Sequence, residues 1–130
     1  MNILLDTHIA LWSMYDDNRL DSTAVSMLTD ENNIIFVSLV SAWEIAIKTS
    51  IGKLHIPADG FMEDCKSMGY HLLPMKEKQV AAVQHLCDGP EGHKDPFDRF
   101  LLAQAEAEGI KFLTRDRKIL KYDNPVILRP

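Results

Sequence analysis

An α/β fold built on a mostly parallel sheet with helices over both faces is what this sequence predicts, and three observations predict it. Short apolar, β-branched or aromatic runs at residues 3–5, 34–37, 70–73, 112–114 and 126–128 alternate with longer stretches whose apolar residues recur at helical spacing. No repeat, linker or low-complexity tract interrupts that alternation over the 130 residues, so one domain with one sheet is expected. Four acids, Asp6, Glu44, Asp98 and Asp116, stand just past an apolar run or at a predicted helix start, which in such a fold is the carboxyl edge of the sheet.

The elements follow in order. Residues 3–5 read as a short buried strand, and residues 7–15 carry apolar side chains at helical spacing, so the switch falls at Asp6. A second helix starts after Asp21 or Ser22 and carries Val25, Met27 and Leu28 ahead of the strand at 34–37. Ser41 reads as the N-cap of the next helix, with Trp43, Ile47 and Ile51 along one stripe and Gly52 closing it. After Pro57 and Gly60, residues 61–68 are helical and end at Gly69, and the strand at 70–73 is stopped by Pro74. Residues 76–86 form a helix, and residues 88–94 (DGPEGHK) are the clearest loop in the chain. Pro96 suits the first helical position after Asp95, residues 97–107 continue that helix, and Gly109 ends it. The strand at 112–114, a short basic helical turn after Asp116, and an edge strand at 126–128 complete the chain.

Composition narrows the class. Hydrophobic residues are 46% and charged residues 25%, an ordinary globular balance that excludes a disordered or fibrous chain. No apolar run approaches the ~20 residues that span a bilayer, and Asp6 interrupts the first run too early for a signal peptide, so a cytoplasmic protein is expected. Cys65 and Cys87 fall in separate predicted helices without ligand spacing and read as free, buried or half-buried thiols. The net charge of −5 is unfavourable for a polyanionic partner. Yet neutralising the four acids with bound cations brings the remainder close to zero, and Lys111, Arg115, Arg117, Lys118 and Lys121 crowd the stretch around Asp116.

Each acid also has an ordinary structural reading. Ser41 and Glu44 match a capping box, Asp95 with Pro96 and Asp98 matches a capped helix start, and Asp6 and Asp116 stand where turn residues are common. Their convergence on one predicted edge favours a site. Several carboxylates meeting there could hold a hard divalent cation, and helix amino termini help them remain ionised side by side.

The strings LLDTH, SLVSAWEI, DPFDRFLLAQA and LTRD, in that order over nearly the whole chain, resemble the PIN-domain ribonucleases, in particular the VapC-type toxins of bacterial toxin–antitoxin pairs. The resemblance implies a three-layer α/β/α sandwich, dependence on magnesium or manganese, endonucleolytic cleavage of RNA, inhibition by a cognate antitoxin protein, and a homodimer. It also implies that Asp6, Glu44, Asp98 and Asp116 form the acidic quartet, with Asp6 and Asp98 as direct metal ligands. Thr7 and Thr114 resemble the polar residues that brace such a site. Asp95 is explained by helix capping and stays outside the set.

The chemistry is consistent with that assignment. A divalent ion on carboxylates can lower the pKa of bound water and neutralise the charge that develops as a phosphodiester is cut. The five histidines are scattered and form no nucleophilic pattern; of them His8 and His93 are nearest the proposed site. Arg99 and Arg115 are candidate substrate contacts, Lys48 reads as an ordinary helix-face partner of Glu44 four residues back, and Trp12, Met14, Trp43 and Ile47 read as mostly core. Alternatives from other classes fit less well. A haloacid-dehalogenase-like phosphatase expects a second aspartate where His8 stands, and a receiver-like module expects an acidic pair near strand one and an aspartate after strand three, where Pro74 stands. A PIN-like module that binds a partner without turnover is the remaining alternative.

Overall fold

Asn2–Leu5 (β1) is the middle strand of a five-stranded sheet in the computed structural model, which describes residues 1–86 and 95–129. Ile34–Ser38 (β2) and Lys111–Leu113 (β4) flank it, and His71–Leu73 (β3) and Ile127–Leu128 (β5) form the edges, giving the order β3-β2-β1-β4-β5. Every pairing is parallel, with Leu4 opposite Phe36 on one side and Phe112 on the other. The chain builds outward from β1 to β3, then crosses back to place β4 on the free side of β1. The carboxyl ends of β1 and β4 therefore flank the point where strand order reverses, the place where open α/β sheets leave a crevice.

The crossovers are helical: Thr7–Tyr15 (α1), a 3-10 turn at Asp17–Arg19, Ser22–Thr29 (α2), Leu39–Ser50 (α3), Ala58–Ser67 (α4), Glu77–Val83 (α5), Pro96–Glu108 (α6) and Arg117–Leu120 (α7). Side chains alternate across each strand, so the sheet feeds two separate cores. Ile3, Leu5, Ile35 and Val37 meet Ile9 of α1, Ala42 and Ile45 of α3, and Phe61 and Cys65 of α4, with Met27 and Leu28 of α2 packed alongside. Leu4, Leu73, Phe112 and Ile127 meet Leu101, Leu102 and Ala105 of α6 and Ile119 of α7. Helix α5 lies on α6, where buried Gln104 donates from Nε2 to Gln79 Oε1 at 3.0 Å and to the Pro74 carbonyl at 3.2 Å. The architecture is the three-layer α/β/α sandwich. Among the described residues no helix is long and apolar enough to cross a membrane.

Several local expectations need correction. Helix α3 starts earlier than its sequence suggests: Ser38, ending β2, is the N-cap and accepts from Val40 N–H at 3.0 Å, while Ser41 is fully buried inside the helix. Two serines three apart compete for the cap, and the one at the end of the strand holds it. Glu44 consequently lies a turn deeper than expected. Helix α4 begins at Ala58 and runs through Gly60, and α5 stops at Val83, so residues 84–86 form only a turn. Trp43 and Ile47 are not core: α3 buries its Val40, Ala42 and Ile45 side, leaving Trp43 55% exposed with Ile47 and Ile51 beside it. Trp12 and Met14 are half-buried against the first core. Cys65 is a buried free thiol whose pKa burial pushes up to about 11, so it is inert. The predicted loop at residues 88–94, Cys87 and His93 lie outside the described residues.

The buried and exposed aromatics give a test of this arrangement. Phe112→Ala, at a fully buried position of β4, should cost about 3–5 kcal/mol. Trp43→Ala should cost about 1 kcal/mol, the worth of its edge-on pair with Phe97. Urea unfolding midpoints at unchanged m measure both.

Candidate active site

Strand β1 ends at Leu5, and the Asp6 N–H donates to the Leu113 carbonyl at 2.9 Å, continuing the parallel ladder to β4. Asp6 occupies the N-cap position of α1, but its carboxylate makes no cap bond. It is instead buried and accepts from Thr114 Oγ1 at 2.6 Å. The same Thr114 oxygen accepts from the Asp116 N–H at 3.0 Å, so one fully buried hydroxyl joins the ends of β1 and β4 and the start of α7.

On the other side of Asp6, Thr7 Oγ1 donates to Glu44 Oε1 at 2.8 Å and lies 2.8 Å from Ser41 Oγ. A hydroxyl carries one proton, so with Glu44 ionised the Ser41 hydroxyl supplies the second bond. Lys48 Nζ donates to Glu44 Oε2 at 2.7 Å. The capping box expected for Glu44 is therefore absent; its carboxylate, buried in α3, is held by a threonine from α1 and a lysine one turn on. Burial of so polar a trio is tolerated because each member has its partner.

Asp98 stands in the first turn of α6, positioned by the Asp95 carboxylate, which accepts the Asp98 N–H at 3.0 Å with Pro96 between them. The capping role expected of Asp95 is the one it plays. Asp116 also caps: its Oδ1 accepts from Lys118 N–H at 2.8 Å and Ile119 N–H at 3.2 Å, starting α7. Arg99 donates to the Tyr122 hydroxyl at 3.3 Å, and Arg115 pairs with Asp21, whose other oxygen caps α2. The exposed His8 ring lies 5.8 Å from that of Trp12.

The structure thus brings Asp6, Thr7, Glu44, Thr114 and Asp116 to one edge, with Asp98 in their electrostatic field. Burial raises the Asp6 pKa against the opposing Thr114 hydrogen bond and nearby His8, and Asp116 and Glu44 add to the rise. Asp98 is pushed up to about 8, first by burial, then by Asp6, Asp95, Asp116 and Glu44 in decreasing order. Lys48 is held protonated chiefly by its bond to Glu44, with Asp95 and Asp98 contributing. Two site members were not assigned from sequence. The sequence offers Ser41 as a cap and Lys48 as a helix-face partner; the E-x-x-x-K spacing is visible there, but not that its carboxylate is buried.

Among the described residues no three Asp, Glu, His or Cys side chains stand close enough together to hold a metal ion in this arrangement. The donor chemistry nonetheless fits one. The set is all oxygen, and carboxylates that raise one another's pKa are the groups a hard cation would bring together.

The PIN domain family model matches residues 3–125. The chain belongs to the PIN domain family. It is similar to ribonuclease VapC22 of Mycobacterium tuberculosis, 26% identical over 129 residues, spanning 95% of this chain and 93% of that one. The PIN fold is shared with VapBC2 of Rickettsia felis bound to a DNA fragment from its promoter, at TM-score 0.72 and 17% identity, covering 98% of this chain and 96% of that one. FitAcB of Neisseria gonorrhoeae superposes at TM-score 0.58 and 16% identity, over 90% and 89% of the two chains. The position of Asp6 at the end of the first strand and of Asp98 at the start of a long helix is thereby set within a PIN scaffold.

The raised Asp98 pKa has a measurable consequence in metal-free protein. Folded Asp98 binds its proton more tightly than unfolded Asp98, so its protonation favours folding. That contribution is fully present below about pH 4 and is lost as pH rises through about 8. Denaturation in EDTA should show stability falling between about pH 4 and pH 8, with Asp98→Asn flattening the fall and more stable than the parent at the alkaline end. Equal slopes in the two proteins would show that Asp98 is not held among the other acids.

Proposed function

We propose that the protein is a magnesium- or manganese-dependent endoribonuclease and the toxin of a toxin–antitoxin pair. The observation that carries this reading is the buried Asp6 at the strand-order reversal of a PIN domain, the carboxylate that acts most strongly on the perturbed Asp98. The similarity to a VapC ribonuclease and to VapBC2 supports the RNA substrate and the antitoxin partner.

Asp6 and Asp98 would hold the ion, which when bound supplies an acidified water and charge neutralisation at the phosphate. The chain's own groups do the rest. Thr114 fixes the Asp6 carboxylate, Thr7, braced by Ser41, fixes Glu44, and Asp95 aims Asp98 through its cap bond. Asp116 adds negative charge while starting a helix whose exposed Arg117 and Lys118 draw the RNA backbone toward the edge. The exposed Trp43, Ile47 and Ile51 stripe suits protein association, and the chain is expected to pair with a second copy as well as with its antitoxin.

Asp6→Asn and Asp98→Asn should each lower RNA cleavage by more than about 100-fold, the upper range for residues that only support a metal ligand, while the fold persists. Asp95→Asn should keep most activity, because Asn caps a helix about as well. Cleavage by the parent protein in EDTA overturns the metal requirement. Expression of the chain alone should arrest growth, and co-expression with the product of an adjacent gene should restore it; a harmless chain overturns the toxin assignment.

A further inference from the structure

A cavity of about 320 Å³ opens beside the acid edge and shares Thr7 and Glu44 with it. Its apolar lining is Leu11, Ile45, Leu54 and Ile56, and the half-buried Trp12 supplies its largest ring. Two further groups stand against that ring. The His8 imidazole lies 5.8 Å away, tilted by 40°, and the Arg19 guanidinium stands over the indole, 5.5 Å from its centroid. Asp16 tethers Arg19 there at 3.7 Å, an ion pair more than half exposed at both ends and so a weak one. Lys48 and Arg19 balance the charges of Glu44 and Asp16, which also line the cavity. In a chain of net charge −5, an anion meets less repulsion here than over the acids.

We propose that this cavity is a nucleobase subsite for a nucleotide flanking the cleaved phosphodiester, with Trp12 as its stacking surface. This rests on the ribonuclease reading above. The ground is the combination of size, lining and place. A volume of about 320 Å³ is at the small end for ligand sites, enough for one nucleoside. Bases of unpaired RNA stack on aromatic rings and guanidinium planes, which are the groups gathered here. Because Thr7 and Glu44 belong to both cavity and acid edge, a strand with its phosphate at the acids brings a neighbouring base to the cavity. The entering base takes the indole face from Arg19, and the loosely tethered guanidinium turns to the nucleotide's phosphate, where its planar fork suits two oxygens. The substrate is accordingly RNA that is single-stranded at the cut, since a base held in a duplex is not free to enter.

Two measurements test it, and the first needs no activity. In proton–nitrogen correlation NMR spectra of isotope-labelled, metal-free protein, Trp12 and Trp43 give the two indole signals, which Trp43→Phe assigns. At millimolar concentration at least one of AMP, GMP, CMP and UMP should shift the Trp12 signal and leave that of Trp43, while ribose phosphate, which lacks the base, should shift neither. The second compares cleavage, in manganese, of an oligoribonucleotide and of copies lacking one base beside the cut. Losing the base that enters the cavity should lower kcat/KM roughly 5- to 150-fold, the range for one stacked base. Trp12→Leu should lower cleavage of the intact RNA by the same factor and that of the abasic copy no further, and Trp12→Phe should keep most of the activity. If Trp12→Leu fails to fold, the indole shifts and the parent's intact-to-abasic ratio decide. A Trp12 signal unmoved by all four monophosphates, equal cleavage of intact and abasic RNA, or a Trp12→Leu loss shared by both RNAs would each overturn the subsite, leaving a protein side chain as the cavity's occupant. Absence of cleavage by the parent would overturn the ribonuclease reading instead, and the flanking-base assignment with it, whatever the indole signals show.

Discussion

The bond between the Asp6 N–H and the Leu113 carbonyl extends the parallel ladder one step past β1, and the rest of the site is arranged around that step. It brings the first residue after β1 beside the first residue after β4, which is why Thr114 can reach the Asp6 carboxylate. Parallel pairing is what permits this. Both strands end at the same edge, so the groups that follow them are neighbours, whereas an antiparallel pair would send them to opposite ends. Helix α1 then leaves Asp6 directly, carrying Thr7 toward α3 and so joining the edge to Glu44.

Much of this order was legible in the sequence because its main signals are local. The strands are short apolar runs, the helices have helical periodicity, and Asp95-Pro96 and Gly109 mark the two ends of α6 in the way those residues must, Gly109 with φ of 68° in the left-handed region. Asp6, Asp98 and Asp116 were locatable because they follow strands or open a helix. Less legible was how one helix divides its surface. In α3 the alternatives Ser38 and Ser41 for the cap, and the Trp43 stripe or the Val40–Ile45 side for the core, differ by a rotation that the sequence does not set; packing against β1, β2 and α4 sets it.

The same rotation explains the misread site members. Once Ser38 caps the helix, Ser41 and Glu44 turn inward together and meet Thr7, while Lys48 follows Glu44 by one turn and stays partly exposed. An i,i+4 pair of this kind on a surface helix is worth a few tenths of a kcal/mol. Here its carboxylate is buried, so removing the lysine would leave a charge out of water, a far larger cost.

The Thr114–Asp6 bond spans 108 residues of sequence, and β1 reaches its central position only when β4 arrives. A chain emerging from the ribosome therefore holds Asp6 and Thr7 from the outset, yet has no edge to complete until β4 has been made. Long-range parallel pairing is also slow to form, since the closure entropy is lost before the contacts reward it. Synthesis and folding together set a delay between the start of translation and the first molecule with an assembled acidic edge, an interval in which no nascent chain carries the complete site.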